Sequence, residues 1–161
     1  MIQKIKQKFT NNDQTMETDE DVGKMLIDSF VGTNNELNQK LSNITELSGS
    51  TGVGVLIYNN KFYCANVGDS EAGLLIFKNG TPEMQMLSVC HLPNLPEERD
   101  RIKKVGGRIE AYRLPDGTHI GPPRVWRPHE DIPGLMMSRT FGDRIGHSCG
   151  ISEVPGKNLF F

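Results

Sequence analysis

The stretch S-V-C-H-L-P, residues 88–93, sets a cysteine directly beside a histidine. A thiol next to an imidazole could be a nucleophile with its base, or half of a metal site. As a catalytic pair, Cys90 and His91 face an obstacle: neighbours on an extended chain send their side chains to opposite sides. A plain cysteine is the favoured reading. A zinc site drawn from Cys64, Cys90 and Cys149 with His91, His119, His129 and His147 lacks the short cysteine spacing of structural zinc motifs. Three further residues could do chemistry. Asp69, in V-G-D-S, follows a strand-like run and is expected to accept backbone N–H bonds in a turn rather than act on a substrate. Arg139 and Asp143, in S-R-T-F-G-D, could meet a charged substrate or hold one another across a turn.

These residues must be positioned by a chain of 161 residues, enough for one domain with a real core. The first helix is expected from Thr18, an N-cap with Asp21 three residues on. Val22, Met25, Leu26, Ser29–Phe30, Leu37 and Leu41 follow at helical spacing, with Gly32 a weak point. From Gly52 the period changes to that of strands. Residues 52–58, 61–67, 72–77 and 84–88 read as four strands joined by short turns at Asn59–Asn60 and Lys78–Asn79–Gly80, an antiparallel meander. A second helix is expected with Asn94 as cap, Pro96 in its first turn, Ile102 and Val105 facing inward, and Gly106–Gly107 as its stop. Prolines at 115, 122, 123, 128 and 133 then predict a long irregular loop, followed by a short last strand at Leu135–Ser138. Trp126 and Met136–Met137 are expected to pack in the core or under that loop. Helix, antiparallel strands, helix: the order implies an α+β fold.

Charge narrows the function. Eighteen basic against 20 acidic residues give −2, which offers no electrostatic footprint for nucleic acid or an anionic membrane. No apolar run approaches the roughly 20 residues needed to span a bilayer. Without a secretory signal, and with an odd number of cysteines, a cytoplasmic protein is the expectation, the nucleus being left open.

Five stretches stand in a telling order: S-G-S-T at 48, A-N-V-G-D-S at 65, L-S-x-x-H-x-P at 87, E-E-R-D-R-I-K-K-V-G-G-R-I at 97 and G-L-M-M-S-R-T-F-G-D at 134. With G-P-P-R-V-W and D-I-P-G-L between them, they resemble the metal-dependent serine/threonine protein phosphatases of type 2C, the PPM family, from about residue 22 to 155. The resemblance implies an antiparallel β-sandwich flanked by helices, with 21–161 a partial domain incomplete at both ends; residues 1–20, polar and rich in Asn and Thr, are expected to be a frayed or disordered segment. It also implies a reaction: hydrolysis of phosphoserine and phosphothreonine by water activated between two Mg²⁺ or Mn²⁺ ions about 3.5–4 Å apart. Such ions require several carboxylates.

In the family those carboxylates lie in an N-terminal acidic pair, an Asp-Gly-His segment, and Asp-Gly and Asp-Asn segments towards the C-terminus. None is matched here. Glu20–Asp21 opens a helix, Asp116–Gly117–Thr118–His119 carries an inserted residue, and Glu130–Asp131 falls in the proline-rich stretch, so solvated charge is expected at all three. Cys90 stands where the family usually has a metal-associated Asp, and a soft thiolate suits Mg²⁺ poorly. Glu71 stands where the family usually has Arg. The weak catalytic candidates are thus Asp69, His91, Arg139 and Asp143, with no metal or cofactor ligand assigned. The expectation is a phosphatase-family domain that is catalytically deficient by itself. The alternatives are a non-catalytic module that binds a phosphoprotein partner, and a truncated product that folds poorly.

Overall fold

The computed structural model describes residues 1–10 and 18–160. Two helices open the chain, α1 (Ile2–Thr10) and α2 (Asp19–Lys40). The expected capping box at α2 is formed: the Asp21 N–H donates to Thr18 Oγ1 at 3.2 Å, and the Thr18 N–H donates to the Asp21 carboxylate at 3.1 Å. Two orphan donors of the first turn are thereby satisfied. Val22, Met25, Leu26 and Phe30 form one buried stripe of α2, and Gly32 leaves the helix unbroken. The first 20 residues are not frayed throughout. Met1 and Ile5 pack against the core that α2 builds, and that burial orders α1; residues 11–17 lie outside those described.

Strand β1 (Gly49–Ser50) precedes a hairpin of β2 (Gly52–Tyr58) and β3 (Lys61–Val67). Asn59 and Asn60 both adopt positive φ, 49° and 59°, as a two-residue hairpin turn matched to the strand twist demands. A second hairpin, β4 (Gly73–Lys78) and β5 (Thr81–Met86), turns on Asn79 and Gly80. The four strands are not one meander. Gly68, at φ 96°, turns the chain after β3, and β4–β5 pair only with each other, as a separate ribbon. The fourth strand also starts earlier than 84, at Thr81, and ends at Met86.

Helix α3 (Pro96–Lys104) has Pro96 in its first turn and Ile102 wholly buried. Its cap is Leu95, without a side-chain bond, rather than Asn94. Val105 is 51% exposed, because the helix has ended and the chain is already turning into Gly106 at φ 83°.

The proline-rich stretch is a sheet, not an irregular loop: β6 (Arg108–Arg113), β7 (His119–Arg127) and β8 (Glu130–Leu135) pair antiparallel in that order. The ladder tolerates its prolines because of where they fall. Glu110 faces Arg124 and Tyr112 faces Ile120, so Gly121–Pro122–Pro123 stand in a bulge opposite Ala111 alone. Pro115 and Pro128 lie between strands, and Pro133 is on the edge strand β8. The inner face of this sheet, with Val125 at its centre, closes a second core with Ile102, Cys149 and Ile151. Trp126 is packed as expected, its Nε1–H bonded to the Glu110 carbonyl at 2.9 Å, whereas Met136 is 38% exposed beyond the end of β8.

The strand expected at Leu135–Ser138 stops at Leu135; the chain continues irregularly to β9 (Phe141–Gly142), which pairs with β1. A 3-10 helix (Arg144–Cys149) and β10 (Gly156–Phe160) follow, and β10 pairs with β3 on the side away from β2. The first core joins α2 to β3 through Tyr63, Ala65 and Val67, with Phe141 stacked on Phe30 at 5.5 Å. The result is an α+β arrangement of antiparallel sheets flanked by helices. Among the described residues no helix is long and apolar enough to cross a membrane.

Candidate functional site

His91 lies where three segments converge. Its N–H donates to the Gly68 carbonyl at 3.0 Å, and the Gly68 N–H donates back to Nδ1 at 3.2 Å. Its own carbonyl accepts the Ser138 N–H at 2.8 Å. Asn66, buried on β3, donates to the Val89 carbonyl at 2.8 Å and lies 3.4 Å from Nδ1. Nδ1 is an acceptor, so the neutral ring carries its proton on Nε2. Burial, reinforced by the positive charge of Arg139, lowers the imidazole to about pKa 4. A neutral ring clamped in this way joins the V-G-D-S turn, the approach to α3 and the S-R-T segment.

Cys90 and His91 do not form a pair. The Cys90 thiol donates to the Asp69 carbonyl at 3.5 Å, while the imidazole is engaged with Gly68 and Asn66. Burial, with a hydrogen bond and negative charge from Glu71 and further charge from Asp69, pushes the Cys90 thiol up. A nucleophilic cysteine needs the opposite environment.

Glu98 is the residue that sequence reasoning missed. Its side chain is 3% exposed. Arg101, one turn along α3, makes a bidentate pair with it at 2.8 and 2.7 Å. Arg139 arrives from the far side with Nη2 at 2.5 Å and Nε at 3.0 Å from Oε1, and the Ser138 hydroxyl donates to Oε2. Burial alone would raise the Glu98 carboxyl, but the hydrogen bonds from Arg101, Arg139 and Ser138 outweigh it and bring it down to about 2. The i, i+3 spacing of Glu98 and Arg101 was the available signal.

Arg139 and Asp143 are therefore not partners, contrary to the turn contact expected between them. Arg139 prefers a carboxylate already fixed in the interior, and its Nη1 also donates to the Val154 carbonyl at 2.8 Å. Asp143, buried and left-handed at φ 44°, accepts from Thr140 Oγ1 at 2.9 Å and closes over Gly49. Burial raises its carboxyl, and the Thr140 bond offsets only part of that. The expected capping of the turn by the Asp69 carboxylate is also replaced. Among the described residues that carboxylate shows no hydrogen bond, and the turn is tied by Ser70 Oγ to Thr51 Oγ1 at 2.7 Å and by the Ala72 N–H to Ser88 Oγ at 2.8 Å.

The remaining acidic segments are occupied locally. Asp21 caps α2, Asp116 accepts the Thr118 N–H in a turn at 2.9 Å, and Glu130 and Asp131 pair with Arg127 and Arg108. Cys64 and Cys149 are buried free thiols.

A model of the protein phosphatase 2C family matches residues 1–156. The chain belongs to the protein phosphatase 2C family. It is 36% identical over 135 residues to probable protein phosphatase 2C 52 of Arabidopsis thaliana, covering 83% of this chain and 28% of that protein. It is 42% identical over 110 residues to probable protein phosphatase 2C 64 of Oryza sativa subsp. japonica, covering 67% and 25%. This phosphatase 2C chain thus spans about a quarter of the length of these curated relatives. In fold it is similar to serine-threonine phosphatase 2C from Toxoplasma gondii, with a TM-score of 0.75 at 20% identity over 98% of this chain and 52% of that one. A C. elegans sex determining protein is likewise similar, with a TM-score of 0.72 at 21% identity over 96% and 33%.

The phosphatase 2C family is metal-dependent, and the donor groups among the described residues do not fit a pair of hard divalent ions. Among the described residues no group of three or more His, Cys, Asp and Glu stands close enough to hold a metal. Of the two buried carboxylates among the described residues, Glu98 is saturated by two guanidinium groups and a hydroxyl, and Asp143 accepts from Thr140 and is closed over by Gly49. Neither stands in a cluster of oxygen donors of the kind that Mg²⁺ or Mn²⁺ takes.

Proposed function

We propose that this protein is a phosphatase-family domain whose complete form hydrolyses phosphoserine and phosphothreonine, and which by itself does not turn phosphoprotein over. The observation that carries this reading is the fate of Glu98. Among the described residues, the buried Glu98 carboxylate, held well below its ordinary range, braces Arg101 and Arg139, so it holds the scaffold together rather than a metal. Family membership supports the reaction class, and the donor set supports the lack of turnover. The partner is then a phosphorylated protein, met in the cytoplasm.

The test is release of phosphate from a phosphothreonine peptide by the purified chain with Mn²⁺, with and without a chelator. No release above the protein-free control is expected. Chelator-sensitive release would overturn the proposal. Peptide binding that survives chelation would support retention of the phosphoprotein without hydrolysis.

A further inference from the structure

Thr81 is followed by Pro82, and no other serine or threonine of the sequence precedes a proline. The dipeptide opens β5 at the tip of the β4–β5 hairpin, next to the Asn79–Gly80 turn. A residue before proline is held extended. From there β5 runs extended to Met86, and every one of its residues is exposed. It has β4 on one flank, and among the described residues its other edge pairs with nothing. Such an outer strand tolerates the missing N–H of Pro82. The turn beside it is open, since a Cβ on Gly80 would meet nothing within 4 Å. The Thr81 hydroxyl is uncommitted and shows no hydrogen bond among the described residues. By contrast the Thr18 hydroxyl is bonded to Asp21, Thr51 and Ser70 are bonded to each other, and Ser138 and Thr140 are buried.

We propose that Thr81 is a phosphorylation site for a proline-directed protein kinase, with Lys78 receiving the phosphate. A kinase must bring its target hydroxyl into line with the γ-phosphate of ATP, so the target has to enter a cleft as free chain. Thr81–Met86 meets that demand without unfolding, being extended, exposed and open along one edge. Pro82 supplies the selection. A pocket that offers no acceptor after the target takes proline and rejects other residues, whose N–H would be buried unpaired. In the transfer, Thr81 Oγ1 bonds the γ-phosphorus of ATP and the bond from that phosphorus to the β-phosphate oxygen breaks. The hydroxyl proton passes to the base of the kinase, and ADP leaves. Lys78 stands directly opposite Thr81 in the ladder. Cβ atoms of such a pair lie about 4.5–5.5 Å apart. In the unmodified chain the Lys78 ammonium group pairs with Glu83 at 2.7 Å on the same face. A phosphothreonine carries a charge of about −1.5 to −2 and three strong acceptor oxygens, which draw Lys78 away from Glu83. The neutral tip of the ribbon becomes anionic.

Incubation of the purified chain with ATP and a mitogen-activated protein kinase tests this. A single phosphoryl group per chain is expected, located on Thr81 by fragment mass spectrometry, and Thr81→Ser should still accept it. Thr81→Ala should take up none and Pro82→Ala severalfold less in the same time. Both positions are exposed, so both variants should keep the circular dichroism spectrum of the parent. The phosphorus NMR resonance of the modified protein reads the role of Lys78. Its titration midpoint should lie below that of a phosphothreonine peptide spanning residues 79–84, and Lys78→Met should bring it up to the peptide's value. No uptake, uptake at another hydroxyl in place of Thr81, or uptake indifferent to Pro82→Ala would overturn the site. A midpoint unmoved by Lys78→Met would overturn Lys78 as the receiver.

Discussion

Glu98 and Arg139 lie 41 residues apart in sequence and meet at 2.5 Å in the interior, with their side chains 3% and 16% exposed. Removing Arg139 strips its charged hydrogen bonds from Glu98 and leaves the carboxylate to Arg101 and Ser138 alone. Arg139→Met should therefore destabilise the fold by about 1.5–3 kcal/mol in urea melts. The exposed pair Lys40–Glu36, broken by Lys40→Met, should change stability by less than about 1 kcal/mol. Equal costs for the two variants would show that the buried pair does not brace the fold.

Acid should weaken the protein in two windows. The His91 imidazole falls from 6.5 to about 4 on folding, so below 6.5 the unfolded chain binds the extra proton. That stability is full above about pH 6.5 and is lost as pH falls towards 4, a loss of about 3 kcal/mol at 1.36 kcal/mol per unit. The Glu98 carboxyl falls from 4.5 to about 2, so its stabilisation is present above 4.5 and disappears between 4.5 and 2. Urea midpoints measured from pH 7 to pH 3 should decline, and His91→Gln should flatten the upper window alone. A slope between pH 6.5 and 5 that is identical in the variant would assign it to other groups.

Gly156 pairs with Asn66 and stands against the His91 ring, where an added Cβ would come within 2.7 Å of Nε2. Gly156→Val must push either the clamped imidazole or β10 aside, at a cost of about 1–3 kcal/mol for overpacking. Amide hydrogen exchange at residues 62–66 should accelerate in this variant, since β10 pairs with that edge of β3. Unchanged protection there would mean that the ring yields instead.

Thiol chemistry should be slow. Burial, with Glu71 and Asp69 nearby, raises Cys90, and burial raises Cys64 and Cys149. At neutral pH the native protein should add at most one alkyl group, at half-buried Cys90, and all three only after denaturation. Mass spectrometry of iodoacetamide-treated protein reads this directly. Rapid alkylation of Cys90 in the native state would argue for a stabilised thiolate.

What the sequence disclosed was what local physics decides. Thr18 and Asp21 are three residues apart, and the Asn59–Asn60 turn needs only its own backbone, so both could be read directly. The prolines at 122 and 123 misled because their harmlessness depends on a bulge opposite Ala111, which only strand pairing creates. Val105 misled because helical spacing says nothing of where the helix stops. His91 could be found from its motif, and its burial against Gly68 could not. Glu98 was hidden for a related reason: its interest lies in Arg139, and neither residue's neighbours in sequence announce the other.

Strand β3 sits between β2, which precedes it directly, and β10, whose Gly156 lies 90 residues beyond its partner Asn66. On the ribosome, Lys61–Val67 therefore emerges with one partner at hand and waits for Gly156–Phe160 to complete its other flank. Closing so long a loop is entropically slow, and a half-paired strand remains open to foreign edges in the meantime. Synthesis of this protein thus includes a defined period of exposure, which chaperone occupancy should reveal as binding that begins once residue 67 has emerged and ends only when residues 156–160 are free to pair with β3.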